Sequence, residues 1–258
     1  MADHKNQVDF IKKWEGGISN DPRDIGPASF PAPCVYKGQV GWHTNKGIIY
    51  RTFSSNASKL GYAASCENFI LMPDYIWLKI YKLTFWDKFL LDQYRSQAIA
   101  DIIVSLAWGS GIGGAYRQLA KFLNTNYGTS FSISTSGYSI GNAIKFRDIF
   151  QRITKTPLAE KKVQEKLIEH LRQFYISLNN PTYIKGWLNR VNALNEFTYA
   201  SLRAVKRNWQ KLILMGMGSV TIAAGIYFLV NHLIKKESAA IKHKRSTWHS
   251  TTTSINHN

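Results

Sequence analysis

Two carboxylates near the start of the chain have the types and the spacing for acid catalysis. Glu15 directly precedes Gly16-Gly17, and Asp24 follows nine positions later, beyond the turn-forming run Asn20-Asp21-Pro22. Two carboxyl groups in different environments are the minimal equipment for cleaving a glycosidic bond, because one of them protonates the leaving oxygen. The pair predicts glycosidase chemistry. The alternative is that Glu-Gly-Gly is only a helix end and Asn-Asp-Pro only a turn.

A short helix is needed to position Glu15. The apolar residues before it recur at helical spacing, which predicts an amphipathic helix; they are Val8, Phe10, Ile11 and Trp14. Gly16-Gly17 should end this helix in the left-handed cap conformation. Glu15 then lies at the helix C-terminus, where the helix dipole and partial burial beside Trp14 both favour the neutral carboxyl. A carboxyl that keeps its proton near neutral pH can act as a general acid.

The sequence around the two carboxylates resembles the opening motif of the glycoside hydrolase family 108 muramidases. The matching residues are Trp14-Glu15-Gly16-Gly17, Asn20-Asp21-Pro22, Asp24, Gly26 and Thr44-Asn45-Lys46-Gly47-Ile48. The resemblance implies a peptidoglycan hydrolase that cleaves the β-1,4 bond between N-acetylmuramic acid and N-acetylglucosamine, with Glu15 as general acid. The order Glu, Asp, Thr also resembles phage-type lysozymes. By that resemblance Asp24 positions water or stabilises the transition state, and Thr44 helps to hold the water.

The stretch 25–43 departs from the family motif. It has Gly26-Pro27 where the family has Gly-Gly-x-Thr, and its three prolines within seven positions exclude a regular helix or a central strand. We interpret it as an inserted loop that borders the substrate cleft. The candidate substrate contacts are Asn20, Trp42, Tyr50 and Trp86. Most aromatic residues of 59–94 are expected in the core, and Trp86 is the one expected to contact substrate or to support Glu15.

Helices are predicted through most of the chain after the loop. A helical pattern starts at Pro73-Asp74, and an apolar helix over 95–124 breaks at Gly109–Gly114. Further helices are predicted at 142–153 and 158–178. Residues 47–53 are expected to form a short extended or helical segment.

The resemblance to the same family extends to about residue 205. The run Tyr183-Ile184-Lys185-Gly186-Trp187-Leu188-Asn189-Arg190-Val191 is similar to a recurrent family ending, Phe-x-x-Gly-Trp-x-x-Arg-Val. This implies that residues 95–205 form a helical peptidoglycan-binding region. Ser105 and Gly109 depart from the family pattern, which commonly has Asp and Asn at these places.

Residues 212–234 differ in composition from the rest of the chain. This run has 23 residues without Asp, Glu, Lys or Arg, and as a helix it would be about 34 Å long, enough to cross a hydrocarbon core of about 30 Å. Lysines and arginines flank it on both sides. It predicts a single C-terminal transmembrane helix followed by a basic, disordered tail over 235–258. The alternative is a buried core helix.

The overall composition favours anionic partners. The formal net charge is +17 and the pI is about 9.8, so polyanions should be attracted. Neither a zinc-finger spacing nor a phosphate-binding loop is present, so an anionic wall or membrane is favoured over nucleic acid, and no metal or cofactor is expected. Cys34 and Cys66 are the only cysteines and could pair in an oxidising compartment. Because residues 1–7 are polar and no apolar region follows them, we expect no secretory signal at this end of the sequence.

These observations predict a mainly α fold of the lysozyme-like α+β type. The predicted parts are a glycoside hydrolase domain over 1–94, a helical region packed on it over 95–205, and the anchor and tail. The partners would be peptidoglycan glycan strands and the membrane, with the domain facing the cell wall on the periplasmic side. The alternatives are an inactive, membrane-tethered wall-binding module and a secretion or assembly factor.

Overall fold

The fold is mainly helical, as predicted, and includes one small sheet. The computed structural model describes residues 1–19 and 43–216, with side chains up to residue 200. The helices are α1 (Val8–Trp14), α2 (Tyr50–Ala57), α3 (Cys66–Ile70), α4 (Asp74–Tyr81), α5 (Gln97–Tyr127), α6 (Ile140–Ile153), α7 (Pro157–Ser177) and α8 (Ile184–Gly216). The strands are β1 (Ile18–Ser19), β2 (Thr44–Asn45) and β3 (Ile48–Ile49). Short 3-10 or π-helical segments lie at His4–Gln7, Ser58–Leu60, Lys82–Trp86, Asp87–Phe89, Leu91–Gln93 and Thr135–Gly137.

Helix α1 ends at the predicted place but by a different means. Glu15 is its C-terminal cap, and its N–H is donated to the carbonyls of Ile11 and Lys12. The expected left-handed glycine cap is wrong, because neither Gly16 nor Gly17 has a positive φ. Glu15 itself leaves the helix with extended backbone, φ −96° and ψ 129°. The chain must run straight on into β1, and an extended cap residue gives that direction.

The sheet is a three-stranded antiparallel unit in the order β1-β2-β3. Lys46 and Gly47 connect β2 to β3, with φ values of 49° and 77°. Positive φ at both central residues is typical of a two-residue hairpin turn whose twist matches its strands. Side chains and backbone of the neighbouring helices fix the hairpin: Asn45 donates to the carbonyl of Phe69, and the indole of Trp77 donates to the carbonyl of Lys46.

Helix α5 is the centre of the core. Residues 98–107 are buried on every side, which is the pattern of a core helix. The predicted break is confirmed at Gly111, where φ 69° and ψ 170° interrupt the helix. Among the described residues, α5 alone is long and apolar enough to cross a membrane, but 61% of its most apolar window is buried in the protein.

The N-terminal segment is tied to the start of α5 by polar contacts. Gln97 accepts a hydrogen bond from the backbone N–H of Asp3 at 2.7 Å. Asn6 and Gln97 each donate to a carboxylate oxygen of Asp101, both at 2.9 Å. Asp101 is fully buried, so the segment and the helix share a buried carboxyl.

The predicted later helices are confirmed. The helices α4, α6 and α7 match the expected patterns to within about two residues, an ordinary disagreement at helix ends. Helix α8 lies against α1, because the rings of Phe197 and Phe10 are 5.1 Å apart. Val191 and Leu194 are buried in the core, so the first half of α8 is fixed on the same core as the N-terminal helix.

Contacts between Cα atoms divide the chain into two units, Met1–Arg203 and Ala204–Asn258. The predicted division at residue 95 falls inside the first unit and stays a prediction. Residues 212–216 continue the backbone of α8. The rest of the predicted membrane span and the tail over 235–258 lie outside the described residues.

Cys66, at the start of α3, is disulfide-bonded. The only other cysteine in the sequence is Cys34, which lies outside the described residues. A stable disulfide is typical of proteins in oxidising compartments.

Candidate active site

Glu15 is held by two donors that come from distant parts of the chain. Its Oε1 accepts a hydrogen bond from the indole Nε1 of Trp108 at 2.7 Å and another from Nη1 of Arg190 at 2.9 Å. The side chains of Glu15 and Arg190 are 17% and 19% exposed. Both are therefore largely covered but still reach solvent, as a side chain that meets a substrate must.

A cluster of aromatic rings fixes the orientation of the Trp108 indole. The rings of Trp77, Tyr81 and Phe85 lie 5.5, 5.9 and 4.9 Å from it. Trp77 and Tyr81 stack on each other with their planes 8° apart. Tilted and stacked contacts of this kind fix ring orientation in addition to burying area, so the direction of the Trp108 N–H is determined by packing.

The tip of the β2–β3 hairpin touches the other side of Glu15. A Cβ added to Gly47 would lie 2.5 Å from Oε2 of Glu15 and 2.7 Å from Cζ2 of Trp108. Only glycine fits here, for that reason and because φ at this position is 77°. Oε2 has no hydrogen-bond partner among the described side chains and backbone groups, so it is the oxygen available for chemistry.

Lys46 anchors the hairpin tip from its outer side. Its ammonium group bonds Asp74 at 2.9 Å and the carbonyl of Met72 at 3.1 Å. Lys12 bonds the same carboxylate at 2.8 Å. Hydrogen bonds from Lys12 and Lys46 lower the pKa of Asp74 to about 2, so this carboxylate stays ionised and links α1, the hairpin and α4.

The other predicted site residues are placed as follows. Thr44 lies in β2, opposite Ser19 of the strand that follows Glu15. The ring of Tyr50 packs on Phe53 and Phe69. Trp86 is fully buried and donates its indole N–H to Asp92 at 2.7 Å. It offers no surface to a substrate in this structure, and the indole that contacts Glu15 is that of Trp108. Asn20, Asp24 and Trp42 lie outside the described residues.

Sequence reasoning missed the two partners of Glu15. Arg190 belongs to the Gly-Trp-x-x-Arg-Val run, whose only signal was its resemblance to a family ending. Trp108 directly precedes the glycine-rich break and carried no signal of its own. A partly covered acid needs hydrogen-bond donors, but this requirement alone does not say which residues supply them.

The described side chains do not form a cluster of three or more His, Cys, Asp or Glu that could hold a metal ion. The arrangement around Glu15 is instead that of a single acid with two fixed donors and one open oxygen. Such a group can donate or accept a proton at one defined point.

Comparisons with known proteins show a family match for part of the chain and a likeness of fold. Residues 8–111 match the model of the glycosyl hydrolase 108 family, a segment that includes Glu15, Gly47 and Trp108. The chain is similar in fold to a solved structure of Brucella abortus SagA, with a TM-score of 0.51 and 18% sequence identity over 76% of this chain and 94% of that chain. This likeness concerns the fold alone. No curated protein matches the chain significantly.

Proposed function

We propose that this chain is a glycosidase of peptidoglycan, a muramidase in which Glu15 protonates the glycosidic oxygen. The proposal depends mainly on the two hydrogen bonds that hold the carboxyl group of Glu15, one from Trp108 and one from Arg190. Further support comes from the match of residues 8–111 to glycosyl hydrolase 108. The proposed bond is the β-1,4 bond between N-acetylmuramic acid and N-acetylglucosamine, and Asp24 and Thr44 keep the roles expected from the motif.

The two oxygens of Glu15 have different tasks in this proposal. Two hydrogen bonds hold Oε1 in place, so Oε2 carries the proton. Gly47 lies against Oε2 without a side chain, which leaves room for the oxygen between two sugars. A general acid works only within hydrogen-bond reach of its target, and the bare glycine provides that reach.

Arg190 stabilises the state after proton transfer. Once the proton has left, the Glu15 carboxylate faces a guanidinium 2.9 Å away. Hydrogen bonds between ionised partners are about twice as strong as those between neutral ones. Arg190 and Trp108 also keep the carboxyl in one orientation, so no rotational freedom has to be lost when the glycan arrives.

Release of reducing ends from purified peptidoglycan tests the proposal. Glu15→Gln keeps the shape and the hydrogen-bond acceptor of the side chain but removes the acid. We expect the rate to fall by about 10²- to 10⁴-fold, the usual contribution of a general acid. The matched control is Glu67→Gln, because Glu67 is exposed on α3, and this variant should keep the wild-type rate.

A wild-type rate in Glu15→Gln would overturn the assignment of the acid. Binding of wild-type protein to peptidoglycan without any release of reducing ends would favour the alternative, a wall-binding module that has lost catalysis. The same assay therefore separates the enzyme from the binding module.

The membrane anchor at 212–234 is part of the proposal. It is supported by the uninterrupted apolar run and the cations on both sides of it. The disulfide at Cys66 agrees with a domain outside the cytoplasm, facing the wall. Extraction of the full chain from membranes at alkaline pH would contradict the anchor.

A further inference from the structure

Three aromatic side chains form a strip that leads away from the Arg190–Glu15 pair. Trp187 of α8 lies 5.5 Å from Tyr175 of α7, with the rings 33° apart. Tyr183, one helical turn before Trp187, lies 5.8 Å from it at 32°. We call these three rings the aromatic strip. Trp187 is three residues before Arg190, so the two side chains are on neighbouring parts of the same helix face.

The strip passes from covered to exposed as it leaves the site. Tyr175 is well covered, and burial raises the pKa of its hydroxyl group. Trp187 is half-buried, and Tyr183 is 40% exposed. Rings that served only to fill the core would be covered throughout, whereas this strip presents its outer faces to solvent.

The covered end of the strip adjoins the helix that supplies Trp108. A Cβ added to Gly109 would lie 2.9 Å from the hydroxyl oxygen of Tyr175. Gly109 therefore lets Tyr175 lie close against α5, at the residue after the Trp108 that binds Glu15. The strip therefore contacts or adjoins both elements that hold the acid, α5 and α8.

One donor beside the strip has no partner. Arg190 binds Glu15 through Nη1, but its Nη2 is buried and has no hydrogen-bond partner among the described residues. Buried donors are nearly always satisfied in folded proteins. A ligand oxygen placed between the aromatic strip and Glu15 would satisfy this one.

We propose that the aromatic strip is a subsite that holds one pyranose ring of a β-1,4-linked N-acetylhexosamine strand beside Glu15. This inference rests on the proposed function and adds the place where the neighbouring sugar binds. A β-linked pyranose exposes C–H bonds on its flat faces, and the negative face of an aromatic ring attracts such weakly positive hydrogens. Binding sites for small polar molecules typically combine aromatic walls with a few placed donors, and here the donor is Arg190.

Calorimetric titration of the full chain with N-acetylchitotetraose, four β-1,4-linked N-acetylglucosamine units, tests the subsite. The titration is done in wild type and in Glu15→Gln, which prevents cleavage during the measurement. We expect Trp187→Ala to weaken binding about tenfold and Tyr183→Ala about threefold, while Tyr183→Phe keeps most of the affinity. The control is Tyr127→Ala, at the far end of α5, which should bind like wild type.

Several outcomes would overturn the subsite. One is wild-type affinity in both Trp187→Ala and Tyr183→Ala, and another is no binding of the tetrasaccharide by wild type at millimolar concentration. If thermal unfolding shows that Trp187→Ala does not fold, Tyr183→Ala decides, because that ring is exposed. Strip-dependent binding to vesicles of anionic lipid, without binding of the tetrasaccharide, would also overturn it, since Ile176 and Leu178 are exposed nearby in the sequence.

Failure of the subsite and failure of the proposed function give different results. If the wild type hydrolyses peptidoglycan and Trp187→Ala binds the tetrasaccharide like wild type, the subsite is wrong and the proposed enzyme activity stands. If Trp187→Ala weakens tetrasaccharide binding but the wild type does not hydrolyse peptidoglycan, the proposed enzyme activity is wrong and the subsite stands.

Discussion

Arg190 and Glu15 are 175 positions apart in the sequence and bonded in the fold. The ion pair is mostly covered, so solvent screens it less than a surface pair. The pair fixes the orientation of the carboxyl group in addition to neutralising its charge, because a guanidinium donates hydrogen bonds in fixed directions and an ammonium group does not. Under the proposed function, we therefore expect Arg190 to act on Glu15 mainly by fixing the orientation of its carboxyl group.

Replacing Arg190 should therefore lower turnover more than substrate affinity. In Arg190→Lys we expect kcat on purified peptidoglycan to fall by about 10- to 100-fold, because the charge stays while the orientation of the carboxyl is lost. We expect KM to rise by a smaller factor, because a single ammonium group cannot also replace the second nitrogen of the guanidinium. Steady-state kinetics gives the two constants. Arg172→Lys is the control, since Arg172 is in an exposed contact with Glu169. Equal loss in both variants would contradict a positioning role.

Gly47 gives a second test at the residue scale. Gly47→Ala adds a methyl group against Oε2 of Glu15 at a left-handed backbone position. Gly61 has a similar φ of 68° with nothing within 4 Å of its Cβ position, so Gly61→Ala carries the same backbone strain without the overlap. We expect Gly61→Ala to lose about 1 kcal/mol of stability and no activity, and Gly47→Ala to lose both. Thermal unfolding and the hydrolysis assay measure the two effects. Retained activity in Gly47→Ala would show that Oε2 does not need this space.

The local structure around Glu15 could be predicted from the sequence, whereas the residues that contact its side chain could not. The helix before it and the change of direction after it are local patterns that a short window contains. The donors Trp108 and Arg190 reach it only through tertiary packing, which a single sequence does not encode at any readable spacing. The tryptophans show the same limit: several had similar local patterns, and only the fold distinguishes the buried ring of Trp86 from the ring of Trp108 that contacts Glu15.

At the scale of elements, α5 and the N-terminal segment share a buried carboxyl. Burial raises the pKa of Asp101 to about 7, against the hydrogen bonds from Gln97 and Asn6 that lower it. The folded protein therefore keeps a proton that the unfolded chain releases near pH 4. Below about pH 4 the carboxyl is neutral in both states, so folding buries no charge. Between about pH 4 and 7 only the unfolded chain loses its proton, so the free energy of unfolding should fall as the pH rises, and it should level off above about pH 7.

The variant Asp101→Asn tests this pH dependence. The slope for one such group is at most about 1.4 kcal/mol per pH unit, and it should disappear in the variant whatever its overall stability. Denaturant unfolding at several values between pH 4 and pH 8 gives the free energy of unfolding at each. An unchanged slope in Asp101→Asn would mean that another group titrates in this range.

The long helices were predictable from the sequence, and the two-residue strands were not. Helices α4 to α7 have enough turns for their apolar pattern to show, and the glycine run marked the break at Gly111. The strands β1 to β3 have two residues each, too few for an alternating pattern. Their turn, centred on Lys46-Gly47, was seen only as part of a motif, because a lysine with positive φ is not a common turn signal.

At the scale of the whole molecule, Cys66 is disulfide-bonded, and Cys34 is the only other cysteine in the sequence. Pairing of Cys66 with Cys34 would close a loop of about 33 residues, which should contribute about 3.7 kcal/mol to stability. We expect Cys66→Ser to lower the free energy of unfolding by this amount. A reductant should destabilise wild type similarly and leave Cys66→Ser unaffected, which makes the variant its own control. Equal sensitivity of both proteins to the reductant would contradict the prediction.

The wide separation of Arg190 from Glu15 also has a consequence for biosynthesis. Domains acquire structure as they emerge from the ribosome, beginning at the N-terminus. The segment with the acid is made first, yet its guanidinium partner is translated only after α7. A nascent polypeptide or a fragment truncated before α8 therefore contains Glu15 without its guanidinium partner, and under the proposed function we expect it to lack full hydrolytic activity.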